Sequence, residues 1–261
     1  MNLRVPLHRW SPASAGPFIV ALLIPGLLFA QGRGGAGAPQ QSGRAGAIKD
    51  LTGYWVSVVA EHWHLRMLVP AKGDVTMLPV NAEARRITNT WDPAKDEAGG
   101  EACRSYGAPT IMRVPGRLHI TWQDDNTLKI DTDSGTQTRL LHFGGASPAG
   151  QAPSWQGYSA ATWRRPARTG TDKNAGDLRV VTNRLRPGYL RKNGVPYSEN
   201  ATVEEFLDAF TEPNGDSWLV VDTIVTDPTY LTQPYVNSVA FKKERDGAKW
   251  DPTPCRTDQP R

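Results

Sequence analysis

The sequence lacks several features that would have pointed to a particular chemistry. It has only two cysteines, which excludes a cysteine-rich disulfide scaffold and a four-cysteine zinc site. It has no GxSxG nucleophile elbow, no HExxH zinc motif and no GxxxxGK[ST] phosphate loop. Its longest N-terminal apolar run, Phe18–Ala30, has 13 residues, whereas a bilayer-spanning helix needs about 20. These absences predict no metal, no cofactor, and no stable membrane span once a leader has been removed.

Acidic residues are missing from the first 47 positions. The four arginines of that segment, Arg4, Arg9, Arg33 and Arg44, account for the whole formal charge of +4, so residues 48–261 are close to neutral. Nucleic-acid binding needs a clustered positive surface, and we therefore expect no nucleic-acid partner. A basic start, the short apolar run and a small residue at position 30 are typical of a secretory signal peptide.

The segment after this leader is rich in glycine, alanine and glutamine. Residues 31–47 contain no large apolar side chain and are predicted to form a flexible linker between the signal peptide, residues 1–30, and the folded part, residues 48–261. The protein is therefore expected in the periplasm or outside the cell. In such an oxidising compartment Cys103 and Cys255 are expected to pair and hold the C-terminal tail on the body, with two unpaired thiols as the alternative.

Strand-like segments follow one another at short intervals, each rich in aromatic and β-branched residues and bounded by turn residues such as Asn214–Gly215. One short helix is expected over Asn81–Trp91, because Asn81 suits a helix start and Pro93 follows its end. The sequence predicts a mostly β fold, an antiparallel meander closed into a lipocalin-like β-barrel with one short helix. The predicted strands are Leu51–Val59, Arg117–Gln123, Thr127–Thr132, Thr138–Phe143, Leu178–Leu185, Val203–Phe210, Trp218–Val225 and Val236–Lys242.

Two resemblances accompany this pattern. Gly53-Tyr54-Trp55, in the first predicted strand, is similar to the Gly-x-Trp signature of lipocalin and calycin barrels. That resemblance implies that the tryptophan closes one barrel end and that Lys242 or Lys243 covers its ring, a cation–π contact. Residues 108–112, 155–159 and 227–234, with the strand pair through Arg139, resemble an uncharacterised family of exported bacterial proteins over roughly residues 50–255. This second resemblance implies an exported β-barrel and no particular chemistry.

Candidate ligand-binding residues are of two kinds. Aromatic side chains in predicted strands would form apolar walls if they face inward, and would otherwise be ordinary core. Charged side chains within strands would anchor a polar ligand group, or would point to solvent as the polar half of each alternation. The walls proposed are Trp55, Trp122, Tyr158 and Trp163, and the anchors proposed are Arg139, Arg184, Glu204 and Asp222.

The sequence favours a barrel that binds a small, partly apolar ligand, and it leaves other functions open. An enzyme of the hydratase, isomerase or lyase type would use a carboxylate and an arginine inside the same barrel. A cell-envelope interaction module would use a strand edge or the segment Tyr189–Tyr197, interpreted as a loop or lid. His62 and His64 would share one face if they lie on a strand, and could then bind Zn²⁺ or Cu²⁺. The alternative is that both are ordinary surface histidines.

Overall fold

The computed structural model describes residues 43–145, 147–166 and 175–261. The predicted signal peptide and most of the predicted linker lie outside these residues. Residues 43–47, the end of that linker, form a turn in which the Gly43 amide donates to Asn126 Oδ1 at 3.1 Å. The Trp163 indole donates to the Gly43 carbonyl at 2.9 Å. The packed part of the described chain therefore begins at Gly43.

Nine strands of the described residues close into a barrel, in the order β1-β11-β10-β9-β6-β5-β4-β3-β2. Neighbouring strands are antiparallel except β4 and β5, which are parallel. This confirms the mostly β, barrel-type prediction. The barrel strands are β1 Gly53–Val58, β2 Arg117–Asp124, β3 Thr127–Thr132, β4 Gln137–Phe143, β5 Tyr158–Arg164, β6 Asp177–Asn183, β9 Thr202–Thr211, β10 Ser217–Thr226 and β11 Tyr235–Glu244.

Apolar side chains fill the barrel interior because every second residue of each strand points inward. In β10, Leu219, Val221 and Val225 are fully buried, and Phe241 of β11 is also buried. They belong to one continuous core with residues from the other barrel strands. A barrel of about eight strands has an interior just wide enough for its own side chains. The interior is therefore mainly a packed core.

The two barrel ends are covered differently. The end that contains Trp55, Trp122 and Trp163, here called the tryptophan end, is covered by residues 43–52. The opposite end, here called the capped end, is covered by the long connections 59–116 and 184–201. The helical segments are α1 Trp63–Arg66, α2 Ala82–Thr90 and α3 Pro93–Ala98, with 3₁₀ turns at Ala102–Tyr106 and Ile111–Arg113. Among the described residues, no helix has the length and apolar content needed to cross a bilayer.

Helix α2 forms where the sequence predicts it. The side chain of Asn81 accepts a hydrogen bond from the Ala84 amide at 2.9 Å and so caps the first turn. Ala84 and Thr88 face a second apolar cluster, which includes Val195 and Tyr197. This cluster joins the two long connections to each other over the capped end.

The segment Tyr189–Tyr197 is not a surface loop or lid, which corrects the prediction. It forms a separate antiparallel hairpin of β7, Gly188–Arg191, and β8, Val195–Tyr197. Every residue from Gly188 to Ser198 is buried. The apolar residues Leu190 and Val195 hold this hairpin in the second cluster. It therefore offers no exposed edge for the interaction module that the sequence left open.

The predicted disulfide is confirmed. Cys103 and Cys255 are bonded, with Cα atoms 5.1 Å apart and a sequence separation of 152. The bond fixes the C-terminal tail against the capped end. The tail is also held by hydrogen bonds from the Thr253 amide to the Asp133 carbonyl, 2.8 Å, and from Lys192 Nζ to the Gln259 carbonyl, 2.8 Å.

Candidate ligand-binding site

Trp55 lies where the Gly-x-Trp resemblance implies. Its side chain is 1% exposed, and its indole donates to the Leu51 carbonyl at 2.9 Å. Lys243, paired with Trp55 across β1 and β11, places its ammonium 5.2 Å from the ring centre. Lys242, the alternative candidate, points outward and lies over Trp218 instead. The choice between two adjacent lysines is decided by the alternation of β11.

Trp122 and Trp163 also point inward at the tryptophan end. Phe143 lies between them, with its ring centre 5.5 Å from that of Trp122 and 6.0 Å from that of Trp163. Gly43 packs directly against Phe143, where even a Cβ atom would come within 2.3 Å of the ring. These rings therefore pack against one another and the N-terminal turn. Ligand contact by Trp55, Trp122 or Trp163 stays a prediction.

Arg139 points into the barrel and meets a carboxylate there, although not the predicted one. It donates to both oxygens of Glu205, at 3.0 and 2.6 Å, and both side chains are 1% exposed. Arg139 also approaches the hydroxyl of Thr182 at 3.4 Å, which is hydrogen-bonded to Ser159. A bidentate pair of this kind compensates two charges that could not remain buried separately.

The other predicted anchors do not face the interior. Glu204 is on the outer face of β9, paired with Arg179 of β6. Asp222 is exposed on the outer face of β10, and Arg184 is exposed just beyond β6, where it reaches only the Gln151 carbonyl. The expected pairing of Glu204 or Asp222 with an inward arginine is therefore wrong. The enzyme hypothesis loses the carboxylates on which it was based.

Tyr158 is buried but does not line the interior. Its ring stacks on His142, at 4.8 Å between ring centres, and its hydroxyl donates to the Gly145 carbonyl. Burial lowers the pKa of His142, and Asp124 opposes that shift. His62 and His64 do not share a strand face, because they flank Trp63 at the start of α1. Within the described ranges, no three metal-binding side chains are grouped.

A row of polar side chains crosses the inner wall near the capped end. Glu205, Thr223 and Asn237 are direct cross-strand neighbours on β9, β10 and β11. Thr223 Oγ1 and both polar side-chain atoms of Asn237 are buried and have no hydrogen-bond partner in the described part of the chain. Buried polar atoms are nearly always partnered in folded proteins, by protein, water or ligand. Asn237, at one end of this row, also lines a cavity.

The barrel wall is open beside this row. Strand β1 pairs with β11 only as far as Val58 opposite Ala240, so residues 235–239 of β11 have no β1 partner. A cavity of about 350 Å³ lies here, and we call it the β11 cleft. Its lining residues are Glu61, His62, Leu65, Met77, Arg113, Arg191, Asp222, Tyr235, Val236, Asn237 and Ser238.

Two arginines, Arg113 and Arg191, are among the polar residues that line the β11 cleft. Arg113 donates to the hydroxyl of Tyr235, and its guanidinium carbon lies 5.9 Å from the centre of that ring. Arg191 is 4% exposed and donates to the carbonyls of Asp74 and Thr76. Burial lowers the pKa of Arg191, and the neighbouring Arg113 lowers it further, while Tyr235 raises it. The cleft thus combines buried positive charge with apolar walls.

Sequence reasoning missed most of this cleft. Arg113, Tyr235 and Asn237 were not predicted, and Arg191 was noted only as part of a supposed loop. The one usable signal was an arginine inside an apolar stretch, as in Ile111-Met112-Arg113-Val114. Burying the charge of an arginine costs free energy unless the guanidinium has a hydrogen-bond or charge partner. Nothing in the sequence indicates that Arg113 and Arg191, 78 positions apart, would meet.

Comparisons with known proteins add little. No protein-family model matches the sequence, and no curated protein matches it. A solved structure that matches is the X-ray structure of a biotin-binding protein from chicken, with 8% sequence identity and a TM-score of 0.28. That match covers 51% of this chain and 89% of the chicken chain. The resemblance to exported bacterial proteins stays a prediction.

Proposed function

We propose that this protein is an exported β-barrel that binds a small, partly apolar molecule in the β11 cleft. The observation that carries the proposal is a cavity of about 350 Å³ lined by apolar side chains and by Arg191 and Asn237, each of which has a buried polar atom without a partner among the described residues. Ligand sites are usually concave, largely apolar and equipped with a few oriented polar groups. The volume is at the lower end of the range for such sites, so the ligand is small.

The apolar walls come from two independent segments. Leu65 belongs to α1 and Met77 to the connection that follows it, while Val236 and the Tyr235 ring belong to β11. Met77 is 56% exposed and Val236 is 62% exposed. Apolar side chains that remain this exposed around a cavity gain hydrophobic stabilisation when a ligand covers them. This favours a ligand with an apolar body.

Export is part of the proposal. A basic start, a 13-residue apolar run and a small residue at position 30 support a cleaved leader. The Cys103–Cys255 bond also supports it, because such bonds persist mainly in oxidising compartments. When the full chain is expressed in a bacterium, the mature protein should appear in the periplasm with Gln31 at its N-terminus. A full-length product retained in the cytoplasm would count against export.

Binding is tested by native mass spectrometry and thermal-shift measurements on the disulfide-intact protein with a panel of small amphipathic molecules. At least one class should bind and raise the melting temperature. Ser238→Trp, which fills the cleft from the outer face of β11, should abolish that binding. Thr162→Trp adds the same bulk to the exposed outer face of β5 and should leave binding unchanged.

Two results would contradict the proposal in different ways. If no compound in the panel binds, the ligand-binding function is wrong. If Ser238→Trp binds as well as the unmodified protein, the cleft is the wrong site. Ala209→Trp, at the tryptophan end beside Trp55, would then show whether binding occurs there, against the aromatic walls predicted from the sequence.

A further inference from the structure

Three arginines lie in or next to the β11 cleft. Arg113 and Arg191 line it, and Arg66 contacts Arg113. Arg66 donates through Nε to the Arg113 carbonyl at 3.0 Å, and Arg113 donates to the Tyr235 hydroxyl. The positive charge of Arg113 interacts with those of both Arg66 and Arg191 and lowers the pKa of each. Like charges held this close repel one another, and the repulsion is strong where water is excluded.

Protein carboxylates offset these three cations unequally. Glu61 forms an ion pair with Arg66, and the Asp74 carboxylate interacts with Arg191 at longer range. Within the described ranges, neither Arg113 nor Arg191 forms an ion pair. Arg191 instead uses two backbone carbonyls. Asp222 also lines the cleft, but it is exposed at the outer edge and neutralises no arginine among the described residues.

Unused donors remain on the two more deeply buried of these three guanidiniums. The side chain of Arg66 is 1% exposed and its Nη2 has no partner within the described ranges. Arg191 is 4% exposed and its Nε likewise has none. A buried charged donor without an acceptor is costly, by about 1–3 kcal/mol or more. Arg191 lines the cleft together with Arg113, so a negatively charged acceptor bound there would reduce the repulsion between these cations.

Resting on the proposed ligand-binding function, we propose that the ligand of the β11 cleft is a monoanionic carboxylic acid whose carboxylate binds to Arg113 and Arg191. Guanidinium groups bind carboxylates through paired, charge-assisted hydrogen bonds. The apolar body of the acid lies against Leu65, Met77 and Val236, and Asn237 supplies a further donor. A dianion is disfavoured because Glu61 and Asp222 also line the cleft.

Matched pairs of acid and amide test this inference on the unmodified protein. Binding of 3-phenylpropionate is compared with 3-phenylpropionamide, and octanoate with octanamide, by isothermal titration calorimetry at pH 7. The members of each pair have the same apolar body and differ in charge. The acids should bind about 10- to 100-fold more tightly, as expected for one or two charge-assisted hydrogen bonds.

Variants assign the preference to the two arginines. Arg113→Gln and Arg191→Met should reduce the acid-over-amide ratio to about threefold or less while amide binding persists. Arg245→Met removes the same charge from a fully exposed side chain and should leave the ratio unchanged. Arg113 is only partly buried, so Arg113→Gln keeps the test usable if Arg191→Met does not fold.

The possible outcomes distinguish the carboxylate assignment from the ligand-binding function on which it rests. Equal binding of acid and amide overturns the carboxylate assignment and leaves ligand binding intact. An unchanged ratio in Arg113→Gln and Arg191→Met moves the carboxylate away from these arginines and overturns the assignment as well. Failure of both the acids and the amides to bind, together with a negative panel, overturns the inference and the proposed function.

Discussion

The buried ion pair inside the barrel allows a sharp prediction about stability. Arg139 and Glu205 are each 1% exposed and share two hydrogen bonds, of 3.0 and 2.6 Å. Glu205→Gln keeps the shape of the side chain but leaves the arginine charge buried and unpaired. Breaking a buried pair in this way costs about 3–5 kcal/mol. The free energy of unfolding should fall by that amount, measured by urea denaturation with the disulfide intact.

The adjacent glutamate provides the matched control. Glu204 makes the same substitution possible one position away, but its pair with Arg179 is on the outer face, where the side chains are 34% and 43% exposed. Exposed pairs contribute about 0–1 kcal/mol, so Glu204→Gln should reduce the free energy of unfolding by no more than this. The contrast between the two variants depends only on which face of β9 is inside.

A double variant separates charge from packing. Arg139→Met with Glu205→Leu removes both charges and retains apolar volume, and such replacements are often neutral or stabilising. Most of the stability lost in Glu205→Gln should therefore be regained. If Glu205→Gln and Glu204→Gln destabilise equally, the inward orientation of Glu205 is refuted. If the double variant is as unstable as Glu205→Gln, the loss comes from packing and not from an uncompensated charge.

Two further predictions concern the tail. Replacing Cys103 and Cys255 by alanine should lower the free energy of unfolding by about 5 kcal/mol, because the bond spans 152 residues; an unchanged melting temperature would contradict this. Burial lowers the pKa of Lys192 to about 7 from 10.5, with Asp258 opposing. The unfolded chain therefore binds more protons between these values, and the stability of the unmodified protein relative to Lys192→Met should rise with pH from about 7 to 10.5. A pH-independent difference in unfolding free energy would exclude that shift.

The strand and turn pattern is local, and the sequence was sufficient to predict it. The composition of Val203–Phe210 also allows a helix, but the flanking turn residues Asn200 and Asn214–Gly215 predicted a strand, and the structure has β9 over Thr202–Thr211. Asn81 predicted the start of α2, because capping depends on neighbours within one turn. The short helices α1 and α3 were missed, since four to six residues carry too little periodicity to be recognised.

The inward face of each strand could not be predicted locally. A period of two gives two alternating sets, and a shift of one residue exchanges them. In β9, Glu204 shares one face with Phe206 and Phe210, whereas Glu205 lies on the other. The structure places Glu205 inside, and Phe206 is covered from outside by the Arg164 guanidinium at 4.2 Å.

The sequence by itself determined that the chain would form a β-barrel with its two cysteines available to pair, because strand alternation, turn chemistry and composition are properties of neighbouring residues. Only the tertiary structure shows the β11 cleft, where we propose that a ligand binds. Arg66, Arg113, Arg191 and Tyr235 come from four separate segments, and they meet because β11 extends past the end of β1 while the two long connections fold over the same rim. Such a convergence depends on long-range packing, which no local pattern contains.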